Sequence, residues 1–263
     1  MSGAAERVRG WLGPLGRYRP GLFRKDMAAG FRNCDAGATP GWARWLGWSS
    51  PEERLLESLE LNGKVVYDVG AHAGAYSLFF SRRVGVGGRV IAFEPQAASF
   101  AKLARNLQDN HIGNVVPLRL ALGDEEGTRA IYMLPGMSTT ASLAAEARTP
   151  LRRAVGETRI ARLDDLIAEL GLPAPEFIKI DVEGMEVEVL RGGYATLARH
   201  RPALLIEAHG ASRRHKAERI REIAELLLRL GYELTHAESG QRMGREEDGV
   251  AAGHIFALAA VPA

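Results

Sequence analysis

From about residue 61 onward, short β-branched or apolar runs alternate with longer segments of helical period, which predicts a parallel sheet flanked by helices. The strand candidates are Val65–Val69, Val90–Phe93, Val115–Leu120, Phe177–Asp181 and Ala203–Glu207. Between them, Phe100, Leu103 and Leu107 share one helical face. So do Val187, Leu190, Tyr194 and Leu197, and further on Ile220, Ile223, Leu227 and Leu230. Each helix can cover the sheet. The last two runs, Tyr232–His236 and His254–Ala260, are separated by a Gly-rich polar stretch and read as a β-hairpin instead of another strand-helix-strand unit. The expected class is α/β, with a doubly wound, mostly parallel sheet.

Two regions depart from this pattern and set the expected domain organisation. Residues 1–60 form an N-terminal, partly helical extension. Its Trp42, Trp45 and Trp48 would line one side of a helix, to pack on the core in preference to serving as a substrate platform or a homodimer contact. Residues 61–263 form the main domain, with an insertion at about 124–163 where a plain doubly wound fold needs one helix. The insertion reads as two short strands, Arg129–Met133 and Thr158–Leu163, with a mobile loop around Gly136–Thr140 suited to substrate contacts.

Composition narrows the setting. The chain has 263 residues, 46% hydrophobic and 25% charged, and a single cysteine, Cys34, which excludes general disorder and a disulfide scaffold. Its longest apolar run, Ile255 to Val261, is 7 residues, against the ~20 that a membrane-spanning helix needs. The N-terminus lacks the apolar core of a secretory signal, so a cytoplasmic location is expected. The formal net charge is +2, and the arginines are scattered without interleaved aromatics. Nucleic-acid binding is therefore not expected.

The first strand leads into Tyr67-Asp68-Val69-Gly70-Ala71-His72-Ala73-Gly74 and then a helix. Gly70 and Gly74 allow a ligand to approach the backbone, the helix start offers N–H donors, and Asp68 can meet a cationic amino group. A dinucleotide fingerprint needs G-x-G-x-x-G. This turn offers G-x-x-x-G with His72 in the middle, which disfavours an NAD-type oxidoreductase. The second strand ends at Glu94, roughly 20 residues on, where a carboxylate grips the ribose hydroxyls of an adenosine. After the third strand, Leu122 can face an adenine ring and Asp124 can accept from its amino group.

These segments resemble the FkbM-type S-adenosylmethionine-dependent methyltransferases. The matching pieces are the turn just quoted, Phe93-Glu94-Pro95, Ala121-Leu122-Gly123-Asp124, Arg162-Leu163-Asp164-Asp165-Leu166, Ile178-Lys179-Ile180-Asp181-Val182-Glu183-Gly184-Met185-Glu186 and Leu205-Ile206-Glu207. The resemblance implies a seven-stranded, Rossmann-like methyltransferase fold, AdoMet as cofactor, and methylation of a hydroxyl on a sugar, natural-product scaffold or similar small molecule. The expected cofactor contacts are Asp68, Gly70, His72, Gly74, Glu94, Leu122, Asp124 and Asp181.

On the acceptor side, Asp181 ends one strand, while Glu207 and His209 project from the end of the next by the two-residue period. Asp181 can hold the cofactor's amino group or accept a proton. His209, oriented by Glu207, can act as general base. Lys179 points to the same face as Asp181 and can pair with it. Asp181, Glu207 and His209 could instead ligate a divalent cation, but the acid–base reading is preferred. Glu183 and Glu186 read as acids that meet a helix dipole. The chain lacks Asn/Asp-Pro-Pro-Tyr and Pro-Cys motifs, which favours oxygen as the methyl acceptor. A non-catalytic interaction module with this fold would show a degraded acceptor edge, and the presence of these residues argues against it.

Overall fold

A computed structural model describes residues 51–133, 142–143, 151–237, 239–243 and 254–259. The tryptophan stripe, the homodimer contact, Cys34 and the Gly136–Thr140 stretch lie outside the described residues. Helix α1 (Pro51–Ser58) begins with proline, whose fixed φ and missing N–H suit a first helical position. Strand β1 (Val65–Val69) then starts the sheet, followed by α2 (Ala75–Val84), β2 (Arg89–Phe93), α3 (Ala97–Asp109) and β3 (Val115–Leu118). Further on come β4 (Ala121–Gly123), β5 (Gly127–Met133), β6 (Arg153–Arg162), α4 (Leu163–Leu170) and β7 (Phe177–Ile180). The chain continues through α5 (Glu186–Gly192), α6 (Tyr194–His200), β8 (Ala203–Glu207) and α7 (Arg213–Arg229), to β9 (Tyr232–His236), β10 (Arg242–Met243) and β11 (His254–Ala259).

The main sheet runs β10-β9-β11-β8-β7-β1-β2-β3. Among the described residues the sheet has eight strands against the seven expected, the two-residue β10 adding a short edge. β1 is central and parallel to both β2 and β7, whereas β11 lies antiparallel between β8 and β9. The terminal hairpin therefore inserts its last strand into the sheet.

Strand alternation builds a core on each face. Tyr67, Val69, Ile91, Phe93, Ile178 and Ile180 pack with Val187, Leu190 and Leu197 of α5 and α6 and with Ile220, Ile223 and Leu227 of α7. On the opposite face Val66, Val90, Ala92 and Phe177 pack with Leu78 and Phe80 of α2 and Leu103 and Leu107 of α3. Each such fully buried side chain contributes about 1.5–3 kcal/mol relative to exposure, which makes these two layers the main cohesive force.

Three local expectations change. The third strand does not run on to Leu120. After Leu118 the chain leaves the main sheet, and Ala121–Gly123 pairs in parallel with β6 in a second sheet of order β4-β6-β5. Pro117 sits in β3 at the sheet's edge, where a missing N–H is tolerated. Second, the strands between 124 and 163 are longer than read: β5 and β6 form an antiparallel pair of 7 and 10 residues.

Third, the apolar face over 187–197 is divided between two helices that meet at Gly193, so Tyr194 falls out of phase and is 49% exposed. A methyl group on Gly192 would sit 1.8 Å from the Gly123 carbonyl oxygen, so α5 reaches the second sheet only through a residue without Cβ. Among the described residues no helix is long and apolar enough to cross a membrane.

The Gly192 contact predicts that Gly192→Ala forces α5 and β4 apart, at a cost of about 1–3 kcal/mol. Thermal melts followed by circular dichroism should show a drop of roughly 2–4 °C per kcal/mol. A melt superimposable on the parent's would contradict this packing.

Candidate active site

The C-terminal ends of β1, β2, β7 and β8 open on one edge of the sheet, at the point where the chain order reverses on either side of β1. Ligands bind at such switch points in open α/β sheets. A cavity of about 260 Å3 lies there, lined by Gly70, Ala71, His72, Phe93, Glu94, Leu122, Leu143, Asp181, Glu183, Glu207 and His209, among others.

The turn after β1 is tied down on both sides. Gly70 has φ 87°, and a methyl group there would sit 1.8 Å from the Asp181 carbonyl oxygen. Asp181 N in turn donates to Val69 O at 2.9 Å. The amides of Gly70 and Ala71 both donate to Phe93 O, at 3.0 and 2.9 Å. His72 N donates to Glu94 Oε2 and Gln96 N to Glu94 Oε1, each at 2.8 Å. The early amides of the turn thus hold β2 and its glutamate in place. Burial pushes the Glu94 carboxyl up to about 7, against the pull of its two amide donors. His72 itself has φ 48°, and its buried Nε2 has no hydrogen-bond partner. Burial and the nearby Lys102 charge hold its ring below the usual imidazole range.

Several expected contacts stand elsewhere. Asp68 is fully buried beneath the turn, not on the cavity wall: Ser77 Oγ donates to its Oδ2 at 2.6 Å, and its Oδ1 has no partner. Position 68 is still inside β1, so its side chain turns towards α2. Burial raises its pKa and the Lys179 charge opposes the rise. Gly74 also lies off the wall and serves packing, because a methyl group there would meet Leu103 Cδ1 at 2.5 Å. Asp124 is exposed beyond the end of β4, carried off by the strand's departure into the second sheet, while Leu122 does line the cavity. Lys179 is 2% exposed and lies behind the wall. It donates to Asp181 Oδ2 at 3.0 Å, as the two-residue spacing implied, and sits 4.3 Å over the Tyr76 ring.

At the other end of the cavity His209 meets four carboxylates. Its Nδ1 bonds Glu186 Oε1 at 2.9 Å. Its Nε2 lies 3.6 Å from Glu207, 3.8 Å from Asp181 and 4.0 Å from Glu183. Glu186, not Glu207, therefore orients the ring. Burial favours the neutral imidazole, but the hydrogen bond and charge of Glu186, with the charges of Asp181 and Glu183, push it up to about 9. That shift favours the protonated ring, whereas the expected general base needs the neutral form.

Sequence reasoning read Glu183 and Glu186 only as helix-dipole acids. Helix α5 starts at Glu186, and Glu183 stands before it at φ 53° in a turn that Arg219 clamps by donating to Gly184 O at 2.9 Å. Burial raises the Glu183 carboxyl as well. Only their density in the Asp-Val-Glu-Gly-Met-Glu run signalled a cluster. The insertion also touches down here: Ser142 pairs its backbone with Tyr132 and donates Oγ to Glu183 O at 2.7 Å, which sets Leu143 in the cavity wall.

Comparison with known proteins agrees with this architecture. The chain is 33% identical over 165 residues to the 31-O-demethyl-FK506 methyltransferase FkbM of Streptomyces tacrolimicus, covering 52% of this chain and 63% of that one. It is 32% identical over 139 residues to the hexuronic acid methyltransferase AglP of Haloferax volcanii, covering 52% and 53% respectively. The alignments thus span little more than half the length of these relatives. The crystal structure of an FkbM methyltransferase from Methylobacillus flagellatus shares the fold, with TM-score 0.50, 20% identity, and coverage of 76% of this chain and 44% of that one. The Methyltransferase FkbM domain family matches residues 68–234, from the buried Asp68 to the middle of β9. With well over half of its length so matched, the chain belongs to the FkbM methyltransferase family.

Proposed function

We propose that this chain transfers a methyl group from S-adenosylmethionine to a hydroxyl of a small polar molecule, such as a sugar or a natural-product scaffold. The observation that carries the reading is the two-ended cavity, with Glu94 latched to the glycine turn at one end and Asp181, Glu207 and His209 at the other. Glu94 suits the two ribose hydroxyls, and Phe93 and Leu122 offer apolar surface to an adenine. The Gly70–His72 turn lets the cofactor lie close to the backbone. His72 Nε2, buried and without a protein partner, is a further polar group for it. Two relatives are named for a hexuronic acid and for an oxygen of FK506, which fits an oxygen acceptor on a small molecule.

Bound AdoMet supplies an activated methyl group, so the protein's part is alignment and proton removal. As the acceptor oxygen bonds to the methyl carbon, the carbon–sulfur bond breaks and S-adenosylhomocysteine leaves as a neutral thioether. The hydroxyl proton passes to a carboxylate at the acceptor end, where Asp181, Glu183 and Glu207 all face the cavity. Incubating the chain with radiolabelled AdoMet and separate pools of glycans, polyketide-like alcohols, RNA and protein tests the acceptor class. Label confined to RNA or protein would overturn it.

The cofactor end gives two further expected outcomes. Glu94→Ala should weaken S-adenosylhomocysteine binding by about 1.5–3 kcal/mol for each charge-assisted hydrogen bond lost, read by calorimetry. Unchanged affinity would reject the role of Glu94.

The second outcome concerns pH. In the ligand-free chain Glu94 titrates at about 7, and ribose hydroxyls select its ionised form. Affinity for S-adenosylhomocysteine should therefore fall about tenfold per unit as pH drops below that value, and level off above it. Folding stability runs the other way: the raised pKa favours the folded state most at acid pH, and that contribution is lost as pH rises through 7. Glu94→Gln should flatten the binding profile, and a parent profile flat from pH 5.5 to 8 would sink the assignment.

A further inference from the structure

We propose that Asp181, Glu207 and His209 bind a divalent cation at the acceptor end of the cavity. One nitrogen and two carboxylate oxygens, drawn from the ends of β7 and β8, lie within 4.8 Å of one another. The His209 Nε2 separations of 3.6 Å to Glu207 and 3.8 Å to Asp181 are too long for hydrogen bonds. Two ligands held at about 2.1 Å from a shared ion stand roughly 3–4 Å apart, which is this spacing.

Both inner ligands are held from behind by buried charges. Glu186, with no exposed surface, fixes Nδ1 of His209 and so aims Nε2 at the carboxylates, where a bound ion takes the place of the Nε2 proton. Lys179, 2% exposed, takes one oxygen of Asp181 and leaves the other facing the ring. Metal sites orient their ligands through such outer contacts.

An independent observation is the charge left over. Glu186, fully buried behind the His209 ring, keeps its Oε2 without a partner. A buried carboxylate oxygen left unpaired is costly, and a dication on the far nitrogen of the ring that Glu186 holds offsets its charge. The mixed nitrogen and oxygen set suits an ion of the Mn2+ type, for which Mg2+ and Zn2+ would compete. The role of the ion, but not its binding, rests on the methyl-transfer reading. There it would hold the acceptor's oxygen and lower the pKa of the hydroxyl that loses its proton.

The test is a Mn2+ titration of the whole chain, with and without saturating S-adenosylhomocysteine, following the free-ion electron paramagnetic resonance signal. About one Mn2+ per chain should bind in both conditions. His209→Gln and Glu207→Gln should each weaken Mn2+ binding at least tenfold, and Glu186→Gln roughly 10–100-fold. Circular dichroism melts show whether His209→Gln and Glu207→Gln are folded, independently of what either variant binds. No Mn2+ bound by the parent, or unchanged Mn2+ affinity in folded His209→Gln and Glu207→Gln, would overturn the ion site. Binding only in the absence of S-adenosylhomocysteine would assign the cluster's charge to the cofactor and overturn it too. Failure of S-adenosylhomocysteine to bind the parent would sink the cofactor reading and leave the ion result standing.

Discussion

The contact on which the site depends is made of backbone: the turn after β1 lies directly against the end of β7. There is no room for a Cβ at Gly70, because the Asp181 carbonyl oxygen occupies the place it would take. Asp181 N is meanwhile bonded to Val69 O, and the Gly70 and Ala71 amides to Phe93 O. Three strand ends are thus fastened at one point. Glu94 follows β2 directly and Asp181 follows β7, so fastening the strands sets the separation of the two ends of the cavity. A side chain at position 70 would push β1 and β7 apart and displace both carboxylates together. The positive φ at that residue adds a conformational reason for glycine.

Behind this junction the buried charges are linked. Asp68 and Lys179 face each other across the β1–β7 register, and Lys179 reaches on to Asp181. Asp68 has no exposure, yet it is bonded by Ser77 and opposed by a lysine charge, which makes it a brace for the wall instead of a ligand on it. The β-strand period explains why the sequence suggests otherwise. Motif reading places an acid beside a glycine turn, but whether it faces the ligand or the neighbouring helix depends on where the strand stops, and β1 runs to Val69.

That distinction separates what was legible from what was not. The sheet and its helices follow from periodicity, because Val66 and Tyr67 must go to opposite faces and each face has a helix stripe to receive it. Gly70, Glu94, Asp181, Glu207 and His209 were legible for the same reason, since each sits at or just past a strand end, where the fold puts ligands. Asp124 was misplaced because nothing local shows that β4 changes sheets. That depends on β6, some 30 residues later, and on the Gly123–Gly192 contact. Glu186 was missed because an acid in a first helical turn has a sufficient local explanation. Its complete burial against His209 is visible only once β8 and α5 are side by side.

The two ends of the cavity differ in charge, and this follows from how each carboxylate is solvated. Glu94 is alone, held by two neutral amides and pushed by burial to about 7, so it can change charge at little cost as a polar ligand arrives. At the far end the carboxylates are crowded, and each raises the need for positive charge in the others' vicinity. The His209 ring answers part of that need, which is why burial fails to keep it neutral. A neutral ribose thus suits the first end, and a cationic or strongly polarised group the second.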